Sequence, residues 1–312
     1  MAILRRAPII PAVVLVRTLP ALLTVALAAA VDAQPTFRSA VDVVTVPATV
    51  TAKDTTRRVG ELGLADFRIY ENGVRQEVTL VSHQPRGLSL CILLDSSPSM
   101  ASGRQALAIR AIDTLLEELK RDDEATMHFF ASTVRLAFPW TPAPALKEVS
   151  WIEWRLALGT ALIDALKEGL RQVEQARNPL PIILVVSDGG ENASGTSLAG
   201  LVATRRQSET LIYGIHTDLA PSRYAPSVNR AFANFLPQVV GDSGGRTHRI
   251  RTPEEGETAA LALLEEWRSQ YTLGFSPNRA PDGKYRALKV EAVDTNLEVR
   301  HRAGYLAVAP KP

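Results

Sequence analysis

Two runs of this chain are apolar at almost every position, LSLCILL (88–94) and LPIILVVS (180–187), and each is followed at once by an aspartate, Asp95 and Asp188. A strand with no polar alternation has to be buried on both faces, and a parallel sheet covered by helices on each side provides that environment. The stretches between and after the runs fit such a sheet. Arg104 to Lys120 places Leu107, Ala111, Leu115 and Leu119 at helical spacing, and ATMHFFA and VRLAF follow as strands. A helix is expected over Ala161 to Gln175, another near Ser197–Ser208, a strand at TLIYGIH and a last helix over Gly256–Gln270. Residues 88–270 therefore read as an α/β domain, a doubly wound, mostly parallel sheet flanked by helices.

The flanks change period. In 34–87, VDVVTVPATVTA is β-branched, DFRIY alternates, and Asn72-Gly73 marks a hairpin before QEVTLVSH. In 271–312, YTLGFS, YRALKVEAV and LEVRHRAGY read as three strands around the turn Pro281-Asp282-Gly283. Neither flank buries its apolar face alone, so the two are expected to join as one small β-sandwich-like domain with the α/β domain inserted. If the chain leaves and rejoins that domain at one end of the sheet, the opposite end stays free.

Residues 1–33 are expected to be a secretory signal peptide. Arg5, Arg6 and Arg17 flank short apolar runs, LPALLTVALAAAV is too short to span a bilayer, and Val31-Asp32-Ala33 is a small-x-small cleavage pattern. An uncleaved anchor is the alternative. No cysteine stands near the cleavage point, which argues against a lipoprotein. Loss of three Arg and one Asp takes the formal net charge from +2 to zero. No cationic run remains to attract nucleic acid or an anionic membrane, and no stable membrane insertion is expected after signal removal. Cys91, the only cysteine, excludes an intramolecular disulfide and reads as a buried thiol. The product would be exported, periplasmic or secreted.

In an open α/β sheet, ligands bind beyond the carboxyl ends of the strands. There the sequence puts Asp95-Ser96-Ser97-Pro98-Ser99, then Leu158-Gly159-Thr160 opening a helix, then Asp188-Gly189-Gly190. Two carboxylates with hydroxyls and no His or Cys are hard oxygen donors, which suit Mg²⁺ rather than zinc. A site so poor in charge leaves the ion electrophilic and able to take a partner's carboxylate. Asp95 could instead cap the next helix, a common use of Asp. The ordered set raises the specificity. LLDSSPSM, LALGTALIDAL and LVVSDGGEN resemble the metal-ion-dependent adhesion site of von Willebrand factor A domains over about residues 88–270. The resemblance implies that Asp95, Ser97, Ser99, Thr160 and Asp188 hold Mg²⁺, or Mn²⁺ or Ca²⁺, and that a protein ligand supplies a carboxylate. The flanks LADFRIYENG, QYTLGFSP and VRHRAGY resemble a bacterial group of VWFA-related proteins abundant in acidobacteria. Pro98 stands where the family often has Gly, a tolerable change because proline suits the first turn of a helix.

One motif points elsewhere. VVGDSGGR (239–246) carries the Gly-Asp-Ser-Gly-Gly of trypsin-like proteases and the Gly-x-Ser-x-Gly of α/β-hydrolases. A trypsin-like site needs upstream His and Asp on a double β-barrel, and the helices here exclude that fold. The hydrolase elbow runs strand, Ser, helix. Ser243 follows the expected helix Arg230–Val240 and precedes the strand RTHRI, so it is read as a turn serine whose loss costs little. Glu191 lies beside the metal rim, where it could bias a partner's charge or be a solvated loop residue, and Trp140, Trp151, Trp154 and Trp267 read as packing residues. The expected function is a non-enzymatic, metal-dependent protein-binding module. A structural or assembly protein with an idle metal site is the alternative, and a serine hydrolase using Ser243 the distant third.

Overall fold

A computed structural model describes residues 43–53, 59, 61–83, 87–101, 103–146, 155–179, 181–219 and 235–308. The expected signal peptide, Trp151, Trp154 and the first residues of the helix expected at 230–240 lie outside them. The chain begins with β1 (Val44–Ala52), β2 (Phe67–Glu71), β3 (Val74–Gln76) and β4 (Val78–Ser82). The α/β part follows with β5 (Ser89–Asp95), α1 (Arg104–Glu117), β6 (Glu124–Phe130), β7 (Val134–Pro142), α2 (Ala143–Leu146) and α3 (Leu162–Gln172). It continues with β8 (Ile182–Ser187), α4 (Leu198–Arg205), β9 (Leu211–Thr217), α5 (Phe235–Ser243), β10 (Thr247–Ile250) and α6 (Pro253–Arg268). The last strands are β11 (Tyr271–Phe275), β12 (Tyr285–Ala292), β13 (Leu297–His301) and β14 (Gly304–Leu306).

The six-stranded sheet runs β10-β9-β8-β5-β6-β7, parallel except for the antiparallel edge strand β7. Every residue of β5 is buried, and its alternate side chains feed two cores. Leu90, Ile92 and Leu94 pack with Leu107, Ala111 and Leu115 of α1 and with Leu263 and Trp267 of α6. Cys91 and Leu93 pack on the other face with Leu162, Leu166 and Leu170 of α3 and with Leu236 and Val240 of α5. This is the doubly wound arrangement that an all-apolar strand demands. Burial pushes the free Cys91 thiol far above its ordinary range, so it is inert at neutral pH. No helix among the described residues is long and apolar enough to cross a membrane.

The remaining strands form two antiparallel sheets, β13-β1-β11-β4 and β14-β12-β2-β3. Both mix strands from before and after the α/β part: β1 pairs with β11 and β13, and β2 with β12. Their inner faces share a core of Val46, Ile69, Leu273, Phe275, Val290 and Tyr305 among others. Asn72 (φ 48°) and Gly73 (φ 80°) both adopt the left-handed backbone that a two-residue hairpin turn requires. Two segments expected as single strands are each divided. QEVTLVSH is shared between β3 and β4, and LEVRHRAGY between β13 and β14, because at Glu77 and at Arg302-Ala303 the chain crosses from one sheet to the other.

Contacts join both parts into one compact unit, Val41–Pro312. Ala303 N–H donates to the Asp242 carbonyl (3.0 Å), and Arg302 Nη2 donates to the Thr45 carbonyl (2.7 Å) and to Glu209 (2.9 Å). Buried Glu266 gathers three groups: the Tyr213 hydroxyl donates to it at 2.8 Å, and Arg300 and Arg246 approach as ion pairs at 2.6 and 3.1 Å. Gly244, at φ +96°, lies so close to β13 that a Cβ would sit 2.7 Å from the His301 carbonyl carbon. Glu209 and Gly244 precede β9 and β10, so this seam lies at the amino ends of the parallel strands, and Asp95 and Asp188 at the carboxyl ends.

Gly244→Ala combines a backbone conformation unfavourable to L-residues with a clash against main chain that cannot move aside. The expected cost is at least about 2 kcal/mol. Thermal unfolding of the two proteins side by side checks it, and an unchanged midpoint would contradict the seam.

Candidate metal centre

The chemistry-bearing loops hang from β5 and β8, the two most deeply buried strands of the sheet. At the end of β5, Asp95 is fully buried. Its Oδ1 accepts the Ser97 N–H at 2.8 Å and its Oδ2 accepts the Ser187 hydroxyl at 2.6 Å. Burial, and next to it the charge of Asp188, push the Asp95 carboxyl up to about 7 against the opposing pull of those hydrogen bonds. A one-turn 3₁₀ segment, Pro98–Met100, follows with proline in its first turn. The Ser97 and Ser99 hydroxyls, both buried, are hydrogen-bonded at 3.0 Å. Thr160 is buried too, just ahead of α3. A Cβ placed on Gly190 would lie 3.5 Å from Thr160 Oγ1 and 3.6 Å from Asp188 Oδ1, so these two oxygens flank the space that glycine leaves open.

The three loops are tied to one another through main chain. Ser96 N–H donates to the Phe130 carbonyl (2.7 Å), and Ala157 N–H to the Ser96 carbonyl (3.0 Å). Thr160 N–H donates to Asn192 Oδ1 and Asn192 N–H returns to the Thr160 carbonyl, both at 2.9 Å. Glu191 is not the solvated loop residue expected from the sequence. It is buried, and its carboxylate accepts the Ile163 N–H at 2.9 Å and the Ser194 hydroxyl at 2.8 Å. The free donors of the first turn of α3 attract a carboxylate there, and Glu191 thereby fixes the helix behind Thr160. Beside Asp188 opens a cleft of about 570 Å³, lined by Gly189, His216, Leu236 and Arg249 among others.

The five residues singled out in the sequence, Asp95, Ser97, Ser99, Thr160 and Asp188, lie at the end of β5, in the loops after β5 and β8, and just ahead of α3. Two carboxylates and three hydroxyls are hard oxygen donors of the kind Mg²⁺ takes. Among the described residues no group of three or more His, Cys, Asp or Glu is placed to hold a metal ion, so the set here relies on hydroxyls beside its two carboxylates. Residues 90–191, which span both aspartates, match the family model described as von Willebrand factor type A domain. The α/β part contains a von Willebrand factor type A domain. A comparison with curated proteins finds no match. Among solved structures, the chain is similar to an aerotolerance-related membrane protein from Bacteroides fragilis, at 20% identity and TM-score 0.44, over 58% of this chain and 98% of that one. It is similar to a von Willebrand factor type A protein from Catenulispora acidiphila, at 13% identity and TM-score 0.44, over 77% and 74%. The ArnB paralog VWA2 from Sulfolobus acidocaldarius is similar at 12% identity and TM-score 0.42, over 83% and 73%.

Ser243 lies on the far side of the von Willebrand factor A domain, and not in a turn. It is the last residue of α5, and the turn begins at Gly244. Its side chain is 1% exposed. The hydroxyl accepts the Ile212 N–H at 2.9 Å and lies 2.7 Å from the Val240 carbonyl, to which it donates. β10 begins too late to pair with Ile212, so the serine completes the ladder of β9. The sequence-based expectation of a dispensable serine is corrected on that account.

Ser243→Ala leaves a buried backbone N–H without its acceptor, and the expected loss is about 1–3 kcal/mol. A fluorophosphonate probe is expected not to label the native protein, because the hydroxyl is inaccessible. Urea titration gives the first quantity and gel fluorescence the second; stoichiometric labelling lost in Ser243→Ala would overturn this assignment.

Proposed function

We propose that this protein is an exported, non-enzymatic binding module whose von Willebrand factor A domain holds a divalent cation, Mg²⁺ or else Mn²⁺ or Ca²⁺. Asp95, Ser97, Ser99, Thr160 and Asp188 are the residues that hold it, directly or through water. The observation that carries this reading is the pair of carboxylates at the ends of β5 and β8. One is fully buried, and burial together with the charge of Asp188 raises the cost of ionising it. A cation satisfies that arrangement; without one it is a liability to folding. The bound cation supplies a Lewis-acidic point at the surface, and a carboxylate side chain of a partner protein is the natural ligand for its open position. The protein residues hold and orient the cation and leave one side of it free. Von Willebrand factor A domains commonly mediate protein interactions, in keeping with this reading. The seam with the β-sheets lies at the amino ends of the strands, opposite the end that carries Asp95 and Asp188.

Mg²⁺ at about a hundred times its dissociation constant is expected to stabilise the protein by about 2.7 kcal/mol, several degrees in melting temperature. Asp95→Asn is expected to be at least as stable as wild type in chelator and to gain nothing from Mg²⁺. Identical wild-type melting curves in Mg²⁺ and in chelator would end the metal reading. Partner binding has its own measure. Proteins retained on immobilised wild type in Mg²⁺ should elute with chelator and be missing from immobilised Asp188→Asn; the same set on both would favour an idle metal site.

A further inference from the structure

The loop that delivers Thr160 turns apolar side chains outward. In Arg155-Leu156-Ala157-Leu158-Gly159-Thr160, Leu156 is 44% exposed and Leu158 81%, the most exposed large apolar side chain among the described residues. A leucine on a pliable loop would fold inward to shed water. Here the backbone is fixed at both sides. Ala157 N–H donates to the Ser96 carbonyl and Ser132 N–H donates to the Leu158 carbonyl, each at 3.0 Å. Gly159, at φ +80°, is pressed against the neighbouring loops, where a Cβ would meet Ala193 at 3.0 Å and Ser132 at 3.1 Å. One of the bonds that hold Leu158 out is made to Ser96, and Thr160 follows two residues on, itself paired with Asn192. The exposure is built into the centre.

We propose that Leu156 and Leu158 form an apolar rim that selects a partner protein segment in which the metal-binding carboxylate has an aliphatic or aromatic neighbour. This rests on the cation reading above. A carboxylate alone is well hydrated and gains little by exchanging water for a surface ion. An apolar neighbour laid over the two leucines removes their surface from water and shields the carboxylate–cation contact, which strengthens as water leaves. A purely polar segment would leave Leu158 as exposed as before. The rim is preorganised, so its contribution is not spent on ordering the loop.

The test uses the full chain and an array of immobilised peptides in a Gly/Ser background. Each peptide carries one Asp whose neighbours are varied through Leu, Val, Phe, Ser and Lys. In Mg²⁺, chelator-sensitive binding is expected to be about tenfold stronger with Leu, Val or Phe beside the Asp than with Ser. The double variant L156S/L158S is expected to lose that preference and to keep the wild-type melting shift with Mg²⁺. Equal binding to all acidic peptides, or no chelator-sensitive binding by wild type with a normal Mg²⁺ shift, would overturn the rim alone. A preference that survives in the double variant would do the same. Mg²⁺-dependent self-association abolished by L156S/L158S would assign the rim to a second copy of the chain instead. Absence of the wild-type Mg²⁺ shift would strike the cation reading, and the rim with it.

Discussion

A carboxylate sealed at the end of the central strand, beside a second one, is the constraint around which this molecule is arranged. Asp95 cannot reach solvent, and Asp188 opposes its charge. Hydrogen bonds from Ser97 and the Ser187 hydroxyl oppose that cost without cancelling it. Elsewhere the same chain treats buried acids differently. Asp123 meets Arg268 at 2.8 Å, Glu71 meets Arg286 at 3.2 Å, and Glu266 draws two arginines. At the sheet end, the cost of burying Asp95 beside Asp188 is what the proposed divalent cation would offset.

The rest of the architecture holds that end in place. β5 is anchored by side chains on both faces, so Asp95 emerges at a fixed height and angle. Hydrogen bonds from Ser96 to Phe130, Ala157 to Ser96 and Thr160 to Asn192 make the three loops one body. Glu191 ties the start of α3 to the same body. The β-sheets close on the other end, through Arg302, Gly244 and the cluster at Glu266. The proposed metal centre and the seam thus occupy opposite ends of the same parallel strands.

Much of this is legible in the sequence, for physical reasons. β5 and β8 announce themselves because burial on both faces tolerates no polar alternation, and the aspartates that end them mark where ligands gather. The Asn72-Gly73 hairpin is legible because few pairs accept two left-handed residues. What escapes is whatever depends on long-range contact. Ser243 reads as a turn serine since nothing local says that β10 starts too late to cover Ile212. Glu191 reads as solvated because its partners, at 163 and 194, are visible only once α3 is placed. Ser187, which bonds Asp95, is hidden in an apolar run. The splits at Glu77 and Arg302-Ala303 occur where chain direction changes between sheets, and the β-rich composition continues through both.

The central claim, that Asp95 and Asp188 together hold one divalent cation, is tested most directly with Mn²⁺ and electron paramagnetic resonance. Free Mn²⁺ gives a sharp six-line signal that is lost when the ion is bound. The account expects wild type to remove one equivalent of that signal, Mg²⁺ to restore it by competition, and Asp95→Asn and Asp188→Asn each to leave it free. A wild-type titration that superimposes on those of both variants would contradict it.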